Sequence, residues 1–141
     1  MDISNKNLIN IKDANITVIG LGRSGESAAR LGKKLGANIL ISDGSSDTDV
    51  IKHGEKLSTM GITVETGGHS EKIYDADLCV ISPAIAQDST IVNEMKANGI
   101  TIVSEIEFAS WFTYGAIIAV TGSNGKTTSV NLLAEMCETK G

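Results

Sequence analysis

The stretch Ile16-Thr-Val-Ile-Gly-Leu-Gly-Arg-Ser-Gly25 joins a short β-branched run to glycines spaced as G-x-G-x-x-G. This order predicts a buried strand, a tight turn and the start of a helix. Gly20 would allow the turn, Gly22 would let a phosphate approach the main chain, and Gly25 would permit close packing of the helix on the strand. Main-chain N–H groups at the start of the helix would then bind the anion.

On either side of this stretch, from about residue 15 to residue 121, short β-branched runs alternate with longer amphipathic stretches. The alternation predicts repeated βαβ units and a parallel sheet. Most of these runs are continuously apolar and do not alternate between apolar and polar residues. Helices should therefore cover both faces of the sheet. The predicted strands are residues 16–20, 38–42, 62–65, 78–82, 100–103 and 116–121. The predicted fold class is therefore α/β, a Rossmann-like parallel sheet with flanking helices.

Between these strands, apolar residues recur at the spacing of a helix, which predicts helices that connect the strands. Gly36 and Gly61 stand where the first two helices should end. Ser104 and Glu107 have the spacing of a capping box that begins another helix near residue 105. The stripes expected to face the sheet are Ala28, Leu31 and Leu35; Val50, Gly54 and Leu57; and Val130, Leu133 and Cys137.

Asp43 ends the second predicted strand, about twenty residues after the glycine turn. In a dinucleotide-binding domain an acidic residue there bonds a ribose hydroxyl, whereas the alternative makes Asp43 a turn former before residues 44–46. Arg23 would face a diphosphate or be solvated, and Ser24 would be a phosphate ligand or an N-cap. His53 and His69 are expected to be solvated and without a role.

A second anion-binding loop is predicted where the apolar run 116–121 enters Gly-x-x-Gly-Lys-Thr. Backbone N–H groups, the Lys126 ammonium and the Thr127 hydroxyl would bind the phosphates of ATP, with Mg²⁺ on that hydroxyl. Val120 occupies the place of the first glycine of a standard P-loop, so the generic label does not apply although the turn, lysine and hydroxyl remain. Lys126 and Thr127 are the predicted catalytic residues. The predicted ATP-phosphate ligands are Gly122, Ser123, Asn124, Gly125, Lys126, Thr127 and Thr128.

Composition excludes several classes of protein. The 141 residues are 41% apolar and 21% charged, which is ordinary for one soluble globular domain. A net charge of −5 argues against binding to nucleic acid or to an anionic membrane. The sequence has no long apolar run, and residues 1–5 lack the features of a signal peptide, so a cytoplasmic location is expected. Cys79 and Cys137 lack metal-ligand spacing and are expected to be reduced and packed as small hydrophobic residues.

Three motifs together resemble the Mur ligases of peptidoglycan synthesis: Gly-Leu-Gly-x-Ser-Gly at 20–25, Ser-Pro-x-Ile at 82–85, and Thr-Gly-Ser-Asn-Gly-Lys-Thr at 121–127. The likeness covers essentially the whole chain in order, and the first two motifs are similar to those of the D-glutamate-adding branch. The resemblance implies a Rossmann-like first domain that holds the uridine diphosphate end of a substrate rather than NAD, followed by an ATP-binding central domain. Residues 1–104 would be the UDP-binding domain, and residues 105–141 the incomplete start of the P-loop ATP-binding domain.

The resemblance also implies roles for individual residues. Ala84 stands where the family usually has glycine, so its methyl group would crowd the approach of the ligand to the backbone. The implied reaction transfers the γ-phosphoryl group of ATP to a carboxylate of UDP-N-acetylmuramoyl-L-alanine, and the amine of D-glutamate then attacks the acyl phosphate. The other catalytic parts would lie beyond residue 141, so this chain alone is expected to be inactive. The implied UDP ligands are Gly22, Arg23, Ser24 and Gly25 at the phosphates, Asp43 and Gly44 near the uracil, and Ser82, Pro83 and Ala84 along the uridine.

Two other functions remain open from the sequence. An NAD-binding dehydrogenase or sensor domain explains residues 20–25 and Asp43 but leaves the Lys126 loop without a purpose. A non-catalytic UDP-sugar-binding or interaction module is favoured if the natural chain ends at Gly141. The segment 105–141 is shorter than the roughly 40 residues below which a chain rarely folds without help, so it is expected to dock on the first domain or to associate with a second copy.

Overall fold

The computed structural model describes residues 9–138, which form one parallel sheet with helices on both faces. The five strands stand in the order β3-β2-β1-β4-β5, so the strand order reverses at β1. The predicted α/β, Rossmann-like class is confirmed. The strands are β1 (Asn15–Ile19), β2 (Asn38–Asp43), β3 (Thr63–Thr66), β4 (Leu78–Ile81) and β5 (Thr101–Ser104). The helices are α1 (Arg23–Lys34), α2 (Thr48–Ser58), α3 (Thr90–Ala97), α4 (Glu105–Ser110) and α5 (Lys126–Glu138), with a 3₁₀ turn at Glu71–Tyr74.

The core consists of two apolar clusters, one on each face of the sheet. Ile16 and Val18 of β1 belong to the cluster under α1 and α4, whereas Ile19 belongs to the cluster under α3. Because both faces are covered, every residue of β4 is buried, and this explains why its sequence is continuously apolar. The five predicted strands between residues 15 and 104 are therefore confirmed to within one residue at each end.

The predicted ends of the helices are also confirmed. Gly36 and Gly61 follow α1 and α2 with φ angles of +89° and +73°, the left-handed conformation that ends a helix. Ser104 caps α4, because its Oγ accepts a hydrogen bond from the Glu107 N–H at 3.1 Å. A positive φ favours glycine at the two helix ends, and the helix start needs a side-chain acceptor such as the serine hydroxyl.

Helix α4 is anchored in the core by aromatic side chains. Phe108 is fully buried and makes edge-to-face contacts with Trp111 and Phe112, with ring centroids 5.9 Å and 5.4 Å away. These rings close the cluster under α1, and the chain becomes exposed after Phe112. The boundary between domains at residue 104 stays a prediction.

The strand predicted at 116–121 is wrong. The described sheet consists of β1 to β5, and residues 116–121 pair with none of them. A strand is stabilised by a neighbour that accepts its hydrogen bonds, and an apolar run does not form one without that neighbour.

The predicted helix after the lysine loop does form as α5, but none of its residues is buried. Its predicted apolar stripe does not lie on the sheet: Val130 is half exposed and Cys137 is exposed. In the segment 105–141, α4 is docked on the first domain through Phe108 and Trp111, whereas docking is wrong for α5. Self-association stays a prediction.

The prediction about a signal peptide at residues 1–5 lies outside the described residues. Among residues 9–138, the longest helices fall short of the length and apolar character that crossing a bilayer requires.

Candidate functional site

The candidate site lies at the carboxyl ends of β1, β2 and β4. In open parallel sheets, ligands bind at this edge, where the strand order reverses, and here that point is β1. The structure brings all nine predicted UDP ligands to this edge of the sheet. They are Gly22, Arg23, Ser24 and Gly25 after β1, Asp43 and Gly44 at the end of β2, and Ser82, Pro83 and Ala84 after β4.

The glycine turn after β1 is tight because α1 packs directly against the end of the strand. Gly20 has a φ of +102°, and its N–H donates to the Ser42 carbonyl at 2.8 Å. A Cβ atom on Gly25 would lie 2.0 Å from the Gly20 carbonyl oxygen, far too close for two atoms that are not bonded to each other. The first and third glycines of the motif are therefore required by the fold itself.

The second glycine leaves an opening for a ligand. Gly22 is the N-cap of α1, no side chain caps the helix there, and a Cβ atom on Gly22 would meet nothing within 4 Å. The first N–H groups of a helix have no acceptor inside the helix, and residues 22–24 at the start of α1 are exposed. The start of α1 can therefore bind an anion through the main chain.

Asp43 ties the glycine turn to the loop after β2. Its Oδ2 accepts from the Leu21 N–H at 2.6 Å, and its Oδ1 accepts from the Ser45 N–H at 2.8 Å. Asp43 is thus a turn former in this structure. Each carboxylate oxygen can accept a second hydrogen bond, so contact with a nucleoside stays a prediction.

Ser24 makes a long-range contact that the sequence does not suggest. It is not the N-cap, since Gly22 is, and its Oγ donates to Oε1 of Glu105 at 2.9 Å. Glu105 is only 6% exposed, and its Oε2 has no hydrogen-bond partner among the described residues. A phosphate would therefore compete with Glu105 for the Ser24 hydroxyl. An adjoining cavity of about 610 Å³ between α1 and α4 is lined by Arg23, Ser24, Ser27, Ala28, Leu31, Glu105, Ile106 and Ala109.

The turn after β4 forms the other side of the site. Ser82 donates its N–H to the Ile19 carbonyl at 3.1 Å, and its own carbonyl accepts from the Ile85 N–H at 2.9 Å, which closes a turn around Pro83 and Ala84. Asp13 is the only non-glycine residue of the described chain with a positive φ, so the Ala84 methyl group does not strain this turn. The backbone at Ala84 is compatible with alanine.

His69 is exposed, as expected, but one of its ring nitrogens has a partner in the protein. Its Nδ1 lies 2.6 Å from the Oγ of Ser42, a fully buried residue, and that Oγ also donates to Glu65 Oε1 at 2.6 Å. Ser70 donates to both oxygens of the same carboxylate, from its N–H at 3.0 Å and its Oγ at 2.6 Å. Burial raises the pKa of Glu65, but the hydrogen bonds from Ser42 and Ser70 outweigh it and leave the pKa below its usual value.

His69 could have been found from the sequence by its place directly after β3, at the same edge as Asp43. His53 also has a partner, since its Nε2 lies 2.7 Å from Glu26. The hydrogen bond from Arg30 lowers the pKa of Glu26; burial opposes this effect and His53 adds to it. His53 is thus partly exposed and paired, rather than fully solvated as expected, and the absence of a role for it stays a prediction.

The lysine loop is a glycine turn that leads into α5. Gly122 and Gly125 have φ angles of +144° and +77°, and α5 begins at Lys126. The Lys126 Nζ donates to the Gly122 carbonyl at 2.5 Å, so its charge lies over its own loop. The loop is exposed, and its N–H groups, ammonium and hydroxyls suit phosphate oxygens.

A complete metal site is not present in the described part of the chain. Residues 9–138 hold no group of three or more His, Cys, Asp or Glu side chains that could bind a metal ion. The Thr127 hydroxyl offers a single oxygen, which suits a Mg²⁺ ion that takes its other ligands from phosphates and water. The binding of ATP and Mg²⁺ here stays a prediction.

The two cysteines differ in exposure. Cys79 is buried in β4, and burial raises the pKa of its thiol to about 12, so it is unreactive at neutral pH. Cys137 is exposed, which contradicts its expected packing. Both are free thiols.

Comparison with known proteins gives consistent matches. Residues 14–104 match the family model described as Mur ligase MurD-like, N-terminal domain. Relatives from Chlorobaculum parvum and Koribacter versatilis, both named UDP-N-acetylmuramoylalanine–D-glutamate ligase, are 43% and 37% identical over 131 and 134 residues. The matches cover 93% and 94% of this chain but only 28% and 30% of those relatives, so the chain spans less than a third of their length.

Solved structures give the same fold. A murein peptide ligase from Psychrobacter arcticus has a TM-score of 0.62 at 27% identity, covering 86% of this chain and 25% of its own. The UDP-N-acetylmuramate-alanine ligase of Thermotoga maritima has a TM-score of 0.58 at 25% identity, covering 86% and 28%. The A chain of dipicolinate synthase from Bacillus subtilis, at 18% identity and a TM-score of 0.53, shares the fold alone.

Proposed function

This chain belongs to the Mur ligases, in the family of MurD-like N-terminal domains, and on that basis we propose that it is the UDP-binding part of a ligase that adds D-glutamate to UDP-N-acetylmuramoyl-L-alanine. The observation that carries the proposal is the uncapped start of α1, where open space at Gly22 meets the free N–H groups of the first turn. A diphosphate is the ligand that suits this turn. The names of the curated relatives support the choice of substrate.

The nucleoside would extend from this turn across the ends of the neighbouring strands. The N–H groups of residues 23–25 would bind the diphosphate, and Gly22 would let it approach. Asp43 and Gly44 would lie on one side of the uridine, with residues 82–84 on the other. The Asp43 carboxylate would act chiefly by holding the Leu21 amide, since both its oxygens already accept main-chain hydrogen bonds.

The loop at residues 121–128 would bind the phosphates of ATP. Lys126 would exchange its hydrogen bond with the Gly122 carbonyl for one with a phosphate oxygen, and the Thr127 hydroxyl would hold Mg²⁺. Bound MgATP would supply the phosphoryl group that activates the substrate carboxylate, with ADP as product. A ligase of this kind would work in the bacterial cytoplasm, where ATP is available.

Calorimetric titration of the chain with UDP-N-acetylmuramoyl-L-alanine, UDP and NADH tests this function. Both uridine compounds are expected to bind, because both carry the diphosphate and the nucleoside. NADH is expected to bind much more weakly, because the curated relatives are named for a UDP-linked substrate and a ribose diol would have to share the Asp43 oxygens with the Leu21 and Ser45 amides. Binding of NADH in competition with UDP would instead support a dehydrogenase or sensor domain.

We expect this chain on its own to release no ADP. Within the described part of the chain, α5 has no buried residue, so the Lys126 loop is not enclosed as phosphoryl transfer requires. The measurement is a coupled assay for ADP with ATP, Mg²⁺, UDP-N-acetylmuramoyl-L-alanine and D-glutamate. ADP release that depends on both the UDP-sugar and D-glutamate would contradict the expectation.

A further inference from the structure

His69 lies where the base of a bound nucleotide would be. Neighbouring strands are about 4.8 Å apart, so β3 ends about 10 Å from the glycine turn after β1. In folds of this kind the phosphate sits at the end of β1 and the ribose lies near the end of β2. The base, which follows the ribose, would then lie beside Gly44 and towards the end of β3, and His69 is in the loop that follows β3.

The His69 ring leans over Gly44, at the end of β2. A Cβ atom on Gly44 would come to 3.4 Å from the Nε2 of His69, so this nitrogen lies beside the main chain that would border the nucleoside. Its other nitrogen, Nδ1, points into the protein at Ser42. The ring therefore turns one nitrogen inward and presents the other at the rim of the site.

Hydrogen bonding decides which ring nitrogen carries the proton. Glu65 accepts from Ser42 and twice from Ser70, which is the pattern of an ionised carboxylate. Since the single hydroxyl proton of Ser42 is given to Glu65, its Oγ can only accept from His69. In a neutral ring the proton is thus on Nδ1, and Nε2 is left as a hydrogen-bond acceptor.

We propose that His69 selects uracil over cytosine by accepting a hydrogen bond at Nε2 from the N3–H group of the base. Uracil has a donor at N3, whereas cytosine has an acceptor there, so cytosine would set two acceptors against each other. Ser42 and Glu65 act as positioning residues that keep the acceptor at the rim. This inference rests on the proposed uridine-nucleotide function, and it adds how the base is chosen.

Titration of the chain with UDP and with CDP tests the proposal, at pH 8, where an ordinary histidine is neutral. The unaltered chain is expected to bind UDP at least about 10-fold more tightly than CDP, the discrimination that one mismatched hydrogen bond gives. His69→Ala is expected to reduce this ratio to about 3-fold or less, by loss of UDP affinity. His69→Gln, whose amide both donates and accepts, is expected to gain CDP affinity, which damage to the fold would not produce.

Two further variants separate the positioning of the His69 ring from its direct contact with the base. Ser42→Ala removes the acceptor for the Nδ1 proton and is expected to lower the UDP/CDP ratio without touching the ligand. His53→Ala removes a histidine of α2 that pairs with Glu26 of α1 and has no contact with Ser42 or Glu65, and the ratio should stay unchanged. Thermal melting by circular dichroism shows whether each variant is folded.

The outcomes separate the role of His69 from the binding of UDP itself. UDP binding with an unchanged UDP/CDP ratio in His69→Ala would overturn the role of His69 alone, as would equal affinity for UDP and CDP in the unaltered chain. Absence of UDP binding to the unaltered, folded chain would overturn the proposed function and this inference with it.

Discussion

Replacing Gly25 with alanine is expected to lower the free energy of unfolding by about 3 kcal/mol or more and to abolish measurable UDP binding. The added Cβ would stand 2.0 Å from the Gly20 carbonyl oxygen and 3.2 Å from its carbonyl carbon. Both are main-chain atoms, so no side chain can rotate away. Helix α1 would have to move off β1, which opens the core at Val18 and displaces the N–H groups that bind the phosphate.

Gly22→Ala is the matched control for this prediction. Gly22 has a φ of −78° and a ψ of 179°, which alanine adopts freely, and its Cβ would meet nothing within 4 Å. The small penalty of alanine at an N-cap is offset by the reduced freedom of the unfolded chain, so stability should change by about 0.5 kcal/mol or less. The methyl group would nevertheless occupy the opening through which the diphosphate approaches, and UDP affinity should fall by about 10-fold or more.

Urea denaturation and calorimetry with UDP measure the two effects separately. The pattern expected is a loss of stability in Gly25→Ala with a loss of binding in both variants. Unchanged UDP affinity in Gly22→Ala, with its stability intact, would show that the phosphate does not approach the start of α1. A fully stable Gly25→Ala would contradict the packing of α1 on β1.

The positions of apolar residues and glycines along the chain were sufficient to predict the sheet and the glycine turn. The central strands β1 and β4 have nearly continuous apolar runs because helices cover both faces, and Gly36 and Gly61 mark helix ends because the main chain there has a positive φ. Each of these features depends on a few neighbouring residues. They could therefore be recognised in the sequence without knowledge of the contacts.

The predictions that failed depend on residues far apart in the chain. The run at 116–121 has the composition of a strand, but a strand also needs a partner, and the described sheet offers none that it pairs with. Ser24 bonds Glu105 across 81 positions, and His69 meets Ser42 across 27. Since only the fold brings such pairs together, local spacing could not reveal either contact, although the place of His69 after β3 is visible in the sequence.

Replacing Asp43 with alanine is expected to lower the free energy of unfolding by roughly 3 kcal/mol. The substitution would leave the N–H groups of Leu21 and Ser45 without their acceptor, and Leu21 is buried, so water cannot fully replace it. Hydrogen bonds to a charged group contribute about 1.5–3 kcal/mol each. Because Leu21 lies inside the glycine turn, UDP affinity should also fall, by about 10-fold or more.

Asp43→Asn separates hydrogen bonding from charge. One amide oxygen can still accept from Leu21 or Ser45 but cannot replace both carboxylate oxygens, so the loss of stability should be about half that of alanine. Urea denaturation of the two variants gives the stabilities, and calorimetry with UDP gives the affinities. If Asp43 instead acts mainly by contact with the nucleoside, both variants should lose UDP affinity while their free energies of unfolding stay near that of the unaltered chain. That result would show that the carboxylate is not required to hold the turn, and would reassign Asp43 to the ligand.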